Sequence, residues 1–327
     1  MAVFERILLT GGAGFVGSYI APLLAADYPR ARLALLTLND APAPVDAAWT
    51  PVAGDLLDAS AIDEIVASLR PDLVVHLAGQ ASIGRALGAA EQTWRANFFG
   101  SFNLASALAR HAPETLALFA SSVSVYGASL NDGAPAEDAP TRPLDAYGRS
   151  KIAAEGALAD VLGPRARLVI ARPVNHSGPR QSEKSFVLSS FAAQIAAIEA
   201  GRKEPELRVG DLSKARDFLD VRDVVAAYRA LIAKAPELPD RVSVFNIASG
   251  QPHTIGDLLD RLRARATVSF ETKIDPALLR PSVVDIPTIA CDATKLRETT
   301  GWRQRHTIDD MLQSLLDYWR GVESAGR

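Results

Sequence analysis

Residues 10–17 read TGGAGFVG, directly after the short apolar run RILLT at 6–10. A helical pattern of apolar residues follows, from about Phe15 to Ala26. Strand, glycine turn and helix in that order give the turn a definite use. Gly11 and Gly14 allow a tight bend and close approach of backbone to a pyrophosphate, and Gly17 lets helix and strand pack closely. The free N–H groups at the helix start, near Phe15 and Val16, then face an anion. A glycine turn without a ligand is the plainer alternative, and the flanking strand and helix argue against it.

The rest of the first half repeats that alternation. Apolar runs lie at 33–38, 52–56, 73–79 (LVVHLAG), 116–122 (LALFASS) and 167–173 (RLVIARP). Helical patterns fall between them at about 59–69, 89–110 and 146–162. Strands alternating with helices imply parallel βαβ units. Continuous apolar strands, rather than alternating ones, imply helices on both faces. The fold class is therefore α/β, a doubly wound parallel sheet of the Rossmann type, with a smaller mixed α/β lobe. After Pro173 the regularity weakens. The stretch NHSGPRQSEKS is polar and loop-like, a helix covers 186–200, KAPELPD at 234–240 links a helix to the strand VSVFNIA, and two amphipathic helices lie near 254–265 and 307–320. We divide the chain into a dinucleotide-binding domain, 1–172 and about 218–248, and a substrate lobe, about 173–217 and 249–327.

Composition narrows the classes of function. The 327 residues are 48% hydrophobic with a net charge of −3, so a sizeable core is available and no basic field exists for nucleic acid. One cysteine and five scattered histidines exclude an intrachain disulfide and give no metal-ligand spacing. The N-terminal apolar run is too short for a signal peptide, and no run of about 18 apolar residues predicts a membrane span. A cytoplasmic protein is expected.

A dinucleotide cofactor is expected, and we read it as NAD or NADP. The end of the second strand, Thr37 to Asp40 with Asn39 between, carries no Arg or Lys for a 2′-phosphate, which leans slightly toward NAD. Chemistry enters at three residues. Tyr147 and Lys151 are spaced i, i+4, so a helix puts them on one face. A tyrosine near its reference pKa of about 10 is a poor acid or base at neutral pH, and a neighbouring ammonium should lower it. Ser122, at the carboxyl end of a strand, can hydrogen-bond the same substrate oxygen. The trio suits proton exchange with a carbonyl or carbinol while a nicotinamide exchanges hydride. YxxxK alone is common on exposed helices and usually inert; the glycine turn and the strand ending in Ser121 and Ser122 give it weight.

In order along the chain, TGGAGFVG, HLAGQ, SSVSVYG, YGRSK and ARPVN resemble the extended short-chain dehydrogenase/reductase family, whose members act mainly on nucleotide-activated sugars. That resemblance implies that Asp55 and Leu56 lie beside the adenine, with Asp55 also a candidate cap for helix 59–69. It implies that Leu77, Ala78, Gly79 and Gln80 pass along the cofactor and that Asn97 supports the active site, against the alternative of a polar helix residue meeting solvent. Pro173 and His176 would flank the nicotinamide, and Lys151 would hold its ribose. The family's dehydratases carry an Asp-Glu pair, or at least a Glu, just after the catalytic Ser or Thr. Here those places hold Val123 and Ser124, which cannot do elimination chemistry. Reduction or epimerisation remains. The stretches ARPVNHSGPRQSEKSFVLSSFAAQIA, VGDLSKARDFLDVRDVV and FNIASGQ are similar to the family's reductases of GDP-linked 4-keto-6-deoxyhexoses. By that resemblance Asn175, Ser124 and Val187 border the sugar, while Arg216 and Arg280 pair with the diphosphate, a role that suits the guanidinium fork. A salt bridge to Asp217 or Asp220 is the alternative for Arg216, and a solvated loop position for Arg280. Val174 stands where the family has an aromatic. The expected partner is a nucleotide sugar, and a homodimer pairing helices 89–110 and 146–162 is implied. A 4-epimerase retaining NAD is the main alternative, and a non-catalytic dinucleotide sensor the other.

Overall fold

The computed structural model describes residues 3–38, 46–279, 281 and 286–325. In chain order it opens with β1 (Arg6–Thr10), α1 (Gly17–Asp27), β2 (Arg32–Thr37), β3 (Thr50–Ala53), α2 (Ala59–Leu69) and β4 (Leu73–His76). Next come α3 (Ile83–Gly88) and α4 (Ala90–Trp94), which runs through a π turn at Arg95–Phe99 into α5 (Gly100–His111). Then follow β5 (Leu116–Ala120), α6 (Ala146–Val161), β6 (Arg167–Pro173), β7 (Asn175–Ser177), α7 (Val187–Glu199), β8 (Glu206–Val209), β9 (Ala215–Asp220), α8 (Val221–Lys234) and β10 (Val242–Ile247). The chain ends with β11 (Pro252–Thr254), α9 (Ile255–Arg263), β12 (Glu271–Ile274), β13 (Thr288–Ile289), α10 (Thr294–Thr300) and α11 (Ile308–Ala325).

Seven strands form one sheet in the order β3-β2-β1-β4-β5-β6-β10, and every pairing in it is parallel. The doubly wound expectation holds. Alternation along β1 shows why both faces are covered. Ile7 and Leu9 pack with Ile20 and Leu24 of α1 and with Val224 and Leu231 of α8. Leu8 points the other way, to Ile62 of α2, Leu104 of α5 and Leu158 of α6. From β1 the winding runs outward to β3 and then returns to β4 on the other side. That reversal opens a crevice at the carboxyl ends of β1 and β4, where open α/β sheets take ligands.

A third core, with Leu188 and Phe191 of α7, Leu258 and Leu262 of α9, and Met311 and Leu315 of α11, lies under smaller sheets. β9 is their hub, paired with β7 and β13 in parallel and β11 antiparallel, while β8 pairs with β12. Only Val174 separates β6 from β7, so this region begins where the large sheet's carboxyl edge ends. The stretch read as a polar loop after Pro173 thus contains a strand, made by pairing with β9 rather than by its own composition. The cap of α2 is Asp58, whose carboxylate accepts from Ser60 N and Ala61 N, and not Asp55.

Candidate functional site

The glycine turn is built as its spacing predicts. Gly14 N donates to Gly11 O at 3.0 Å, and Ser18 N to Gly14 O at 2.9 Å. Gly11 has φ +72°, and a Cβ there would lie 2.6 Å from Ala78 N. A Cβ on Gly17 would collide with the Gly11 carbonyl and Gly12 Cα. No acidic residue sits in the first turn of α1, so its N-terminus, entered through Phe15 and Val16, keeps its partial positive charge. A cradle that any side chain would fill, facing a helix start, fits the diphosphate of a dinucleotide. The Phe15 ring lies nearly parallel to that of His176 at 6.1 Å, so the turn reaches across to β7.

On the outer side Thr37 is buried at the end of β2, and its carbonyl accepts from Gly54 N at 2.9 Å. Asp55 Oδ1 accepts from Leu57 N at 2.9 Å and shapes the turn into α2, while Leu56 packs under Gly100. Asn39 lies outside the described residues. Across the crevice, Leu77 N donates to Thr10 O at 3.1 Å and Ala78 N to Thr10 Oγ1 at 3.2 Å. Gly79 (φ +152°) leaves no room for a Cβ, which would sit 2.6 Å from Asn97 Oδ1. Asn97 is 1% exposed and does not meet solvent. Its Oδ1 accepts from Gln80 N at 2.8 Å, and its Nδ2 donates to Gln80 O at 3.2 Å and Ser150 Oγ at 3.0 Å.

Ser122, Tyr147 and Lys151 converge at the carboxyl end of β5. Ser122 caps a 3-10 turn at Val123–Val125, so its Oγ accepts from Ser124 N and donates to Ser124 Oγ, both at 3.2 Å. Tyr147 lies in the first turn of α6, which Asp145 caps by accepting from Gly148 N at 2.8 Å. The Ser122 hydroxyl lies close enough to the Tyr147 phenol to act on it. Lys151 Nζ donates to Ala120 O at 2.8 Å and sits 4.9 Å over the Phe119 ring. The electrostatics differ from the sequence expectation. Burial pushes the Tyr147 phenol up to about 12; the nearby Ser122 hydroxyl opposes that rise and the Asp145 charge adds to it. Lys151 is not among the groups that shift it; its own burial pushes its ammonium down to about 8, with Glu155 opposing. Tyr147 is thus held as a protonated phenol, the form that delivers a proton.

A buried polar system behind this trio escaped the sequence reading. Arg172 Nε and Nη2 donate to Glu155 Oε1 and Oε2 at 3.0 and 2.5 Å. Ser121 Oγ also donates to Glu155. Arg172 Nη1 donates to the Tyr126 hydroxyl at 2.9 Å, which in turn donates to Asn246 Oδ1 at 2.8 Å. The system ties α6 to the ends of β5, β6 and β10 directly under the reactive groups. One signal was available: a lone Arg inside the apolar run RLVIARP demands a buried partner, and Glu155 lies one turn past Lys151.

The expected sugar-side residues lie on β6, β7, α7 and β9. Pro173 ends β6 and Asn175 is exposed at the start of β7. His176 Nδ1 lies 3.0 Å from Val174 O, and burial pushes its imidazole down, so it is neutral. Val187 opens α7 and packs on the third core. Arg216 is buried on β9, where Nη1 donates to Ala215 O at 2.8 Å and Pro287 O at 3.2 Å. Asp217 and Asp220, weighed as its partners, hold Ser249 with Gly250 and Arg222 instead. Arg216 lines one hollow with Ser124 and Asp145. Arg280 lies outside the described residues.

Comparison with known proteins agrees with this geometry. The family model described as GDP-mannose 4,6 dehydratase matches residues 8–315. GDP-6-deoxy-D-mannose reductase of Pseudomonas aeruginosa is 35% identical over 96% of this chain and 97% of its own. dTDP-L-rhamnose 4-epimerase of Burkholderia thailandensis is 28% identical over 93% and 92%. Among solved structures, RMD from Pseudomonas aeruginosa complexed with NADPH superposes with a TM-score of 0.79 at 31% identity, over 97% of this chain and 100% of that one. UDP-glucose 4-epimerase of Thermus thermophilus in complex with NAD gives 0.82 at 27%, over 97% and 99%. On the phosphate cradle, the Ser122, Tyr147 and Lys151 cluster and a match running from β1 into α11, the chain belongs to the GDP-mannose 4,6-dehydratase family of extended short-chain dehydrogenases/reductases.

Proposed function

We propose that the protein is an NAD(P)H-dependent reductase of a nucleotide-activated 4-keto-6-deoxyhexose, GDP-linked, in which Tyr147 is the proton donor. The observation that carries this is the convergence of Ser122, Tyr147 and Lys151 at the carboxyl end of β5, with Val123 and Ser124 where elimination would need carboxylates. Val123 is buried in the core and Ser124 bears only a hydroxyl. Asp145 is committed to the cap of α6. The dehydratase activity in the family's description is therefore not assigned to this chain.

A nicotinamide dinucleotide, when bound, supplies the hydride. The chain's own residues do the rest. Ser122 Oγ hydrogen-bonds the carbonyl oxygen. As negative charge develops on that oxygen, Tyr147 gives it the phenolic proton, so C=O becomes CH–OH. Lys151, tethered to Ala120 O beside Gly79, would hold the nicotinamide ribose. Gly11, Gly14, Gly17 and the N-terminus of α1 would hold the diphosphate of the dinucleotide. Asn175, Val187 and Arg216 border the nucleotide sugar in the lobe built around α7, α9 and α11.

We favour NADH over NADPH. Between Arg32 and Arg70 the sequence holds no Lys or Arg, so the end of β2 offers no cation to a 2′-phosphate. A second copy of the chain is the natural cover for the outer face of α4 and α5, where Phe99 and Phe102 are 51% and 40% exposed beside Phe98 and Trp94. We assign the protein to the cytoplasm, where its co-substrates are made; no helix among the described residues is long and apolar enough to cross a membrane.

The test mixes the protein with NADH or NADPH and a panel of 4-keto sugar nucleotides and follows loss of the reduced nicotinamide absorbance. Stoichiometric consumption with a GDP-linked 4-keto-6-deoxyhexose is expected, lost in Tyr147→Phe. No consumption with any GDP-linked ketone would defeat the proposal. NAD retained through purification, with interconversion of 4-epimers and no net consumption, would favour the epimerase reading that relatives of that name suggest.

A further inference from the structure

His76 is the last residue of β4 and only 2% exposed, packed against Phe119 at 5.5 Å between ring centroids. None of the steps above uses it. Burial pushes its imidazole down to about 3, with Lys151 adding to the effect, so it is neutral with one N–H and one bare nitrogen. Its neighbours settle which is which. Ser101 Oγ donates its proton to Asn97 O at 2.6 Å, so toward His76 Nε2, 2.9 Å away, it can only accept. The proton is therefore on Nε2. Nδ1 is bare and accepts from Thr10 Oγ1 at 2.7 Å, whose oxygen accepts in turn from Ala78 N at 3.2 Å.

The result is a one-way chain of hydrogen bonds: Ala78 N–H to Thr10, Thr10 to His76, His76 to Ser101, Ser101 to Asn97 O. Both ends matter. Thr10 precedes Gly11, and the Ala78 backbone is what a Cβ on Gly11 would strike. Asn97 sits in the π turn, and its side chain holds Gln80 on both backbone groups and Ser150, whose Oγ donates to Tyr147 O at 2.8 Å. We infer that His76 is a positioning residue that locks the crevice between β1 and β4 to the Asn97 turn, so that the dinucleotide cradle and the Tyr147 helix stay in register. The inference rests on the dinucleotide part of the proposed function and not on which sugar is reduced.

The test uses the full chain and whichever of NADH and NADPH the wild type binds more tightly, read by nucleotide fluorescence with no sugar present, alongside Tm. His76→Leu should weaken nucleotide binding about tenfold, since it leaves the buried Thr10 and Ser101 hydroxyls without their partner. His76→Gln should recover to within about threefold, because its carbonyl can accept from Thr10 and its amide donate to Ser101. If His76→Leu does not fold, Thr10→Val breaks the same chain at its first side chain with little change of shape and should show the same loss. Wild-type affinity in a folded His76→Leu or Thr10→Val protein would overturn the inference and leave the proposed function standing. So would a folded His76→Gln protein no better than His76→Leu. A wild type that binds neither nucleotide would bring down the cofactor reading and this inference with it.

Discussion

Replacing Lys151 with Met should abolish turnover and yet leave the fold at least as stable, because the lysine is held against its own charge. Its side chain is 5% exposed and burial pushes its ammonium from 10.5 down to about 8. That displacement corresponds to about 3 kcal/mol of unfavourable burial at neutral pH. Against it stand the bond to Ala120 O at 2.8 Å and the Phe119 ring at 4.9 Å, each contributing about 1 kcal/mol. The Lys151→Met protein should therefore gain about 1 kcal/mol at pH 7. The sharper signal is in pH. The folded lysine loses its proton near pH 8 while the unfolded one keeps it to about 10.5, so between those values the unfolded state binds more protons. Wild-type stability must then rise with pH, by about 2 kcal/mol from pH 7 to about 9.5. The Met variant lacks this rise, and the tyrosines common to both proteins cancel in the difference. Unfolding entropy for a chain of this length is about 0.7 kcal/mol per kelvin, so the wild type should gain about 3 °C in Tm on the variant over that range. Calorimetric melts of the two proteins in matched buffers measure it. A Tm difference that stays constant from about pH 7 to 9.5 would refute the claim that Lys151 is desolvated in the fold.

The buried ion pair gives a second stability test: Arg172→Leu should cost about 3–5 kcal/mol in urea unfolding by stranding Glu155, and Arg172→Leu with Glu155→Leu should recover most of it. Gly11→Ala, forced into φ +72° with its Cβ 2.6 Å from Ala78 N, should weaken NADH binding more than about tenfold in a fluorescence titration, with Tm falling less than in Arg172→Leu. If the proposed pairing through α4 and α5 holds, the wild type should run as a dimer in light scattering after size exclusion and Phe102→Glu as a monomer.

What could be read from the sequence is what local spacing encodes. TGGAGFVG between an apolar strand and a helical period specifies its own turn, because the glycine requirement lies within a few residues. Tyr147 and Lys151 are one helical turn apart wherever that helix goes. Asn97 could be placed only by resemblance, since its value comes from a π turn that no period announces and from Gln80 on another element. Glu155 and Arg172 are less legible still, being a helix and a strand residue joined by folding alone. β8, β9 and β11 to β13 were missed because they are short and take their hydrogen bonds from one another rather than from an apolar run. The pKa of Tyr147 went the wrong way for a related reason. The i, i+4 spacing shows that an ammonium is near, but the balance against burial depends on packing that the local sequence does not display.

The turn at Val123–Val125 shows how so similar a scaffold separates reactions. Ser122 caps it, and the bond from Ser124 N to Ser122 Oγ brings residue 124 back over the reactive hydroxyl. The same turn sends Val123 into the core beside Val125 and Tyr126. Of the two places where dehydratases carry acids, only position 124 here faces the cleft, and it lines the hollow that holds Arg216. A carboxylate at 124 would have its charge close to Ser122 and Tyr147, able to exchange a proton with the carbon framework of the sugar. It would also raise the Tyr147 phenol further by like-charge repulsion. A hydroxyl there does neither, and leaves one protonated acid, Tyr147, aimed at one oxygen. A reduction that adds hydride to carbon and a proton to oxygen needs a single acid, so Ser124 suits a ketone reductase and not an eliminase. The choice of chemistry thus comes down to one side chain on a capped turn, while the buried bonds through His76 and Glu155 serve whichever reaction is run above them.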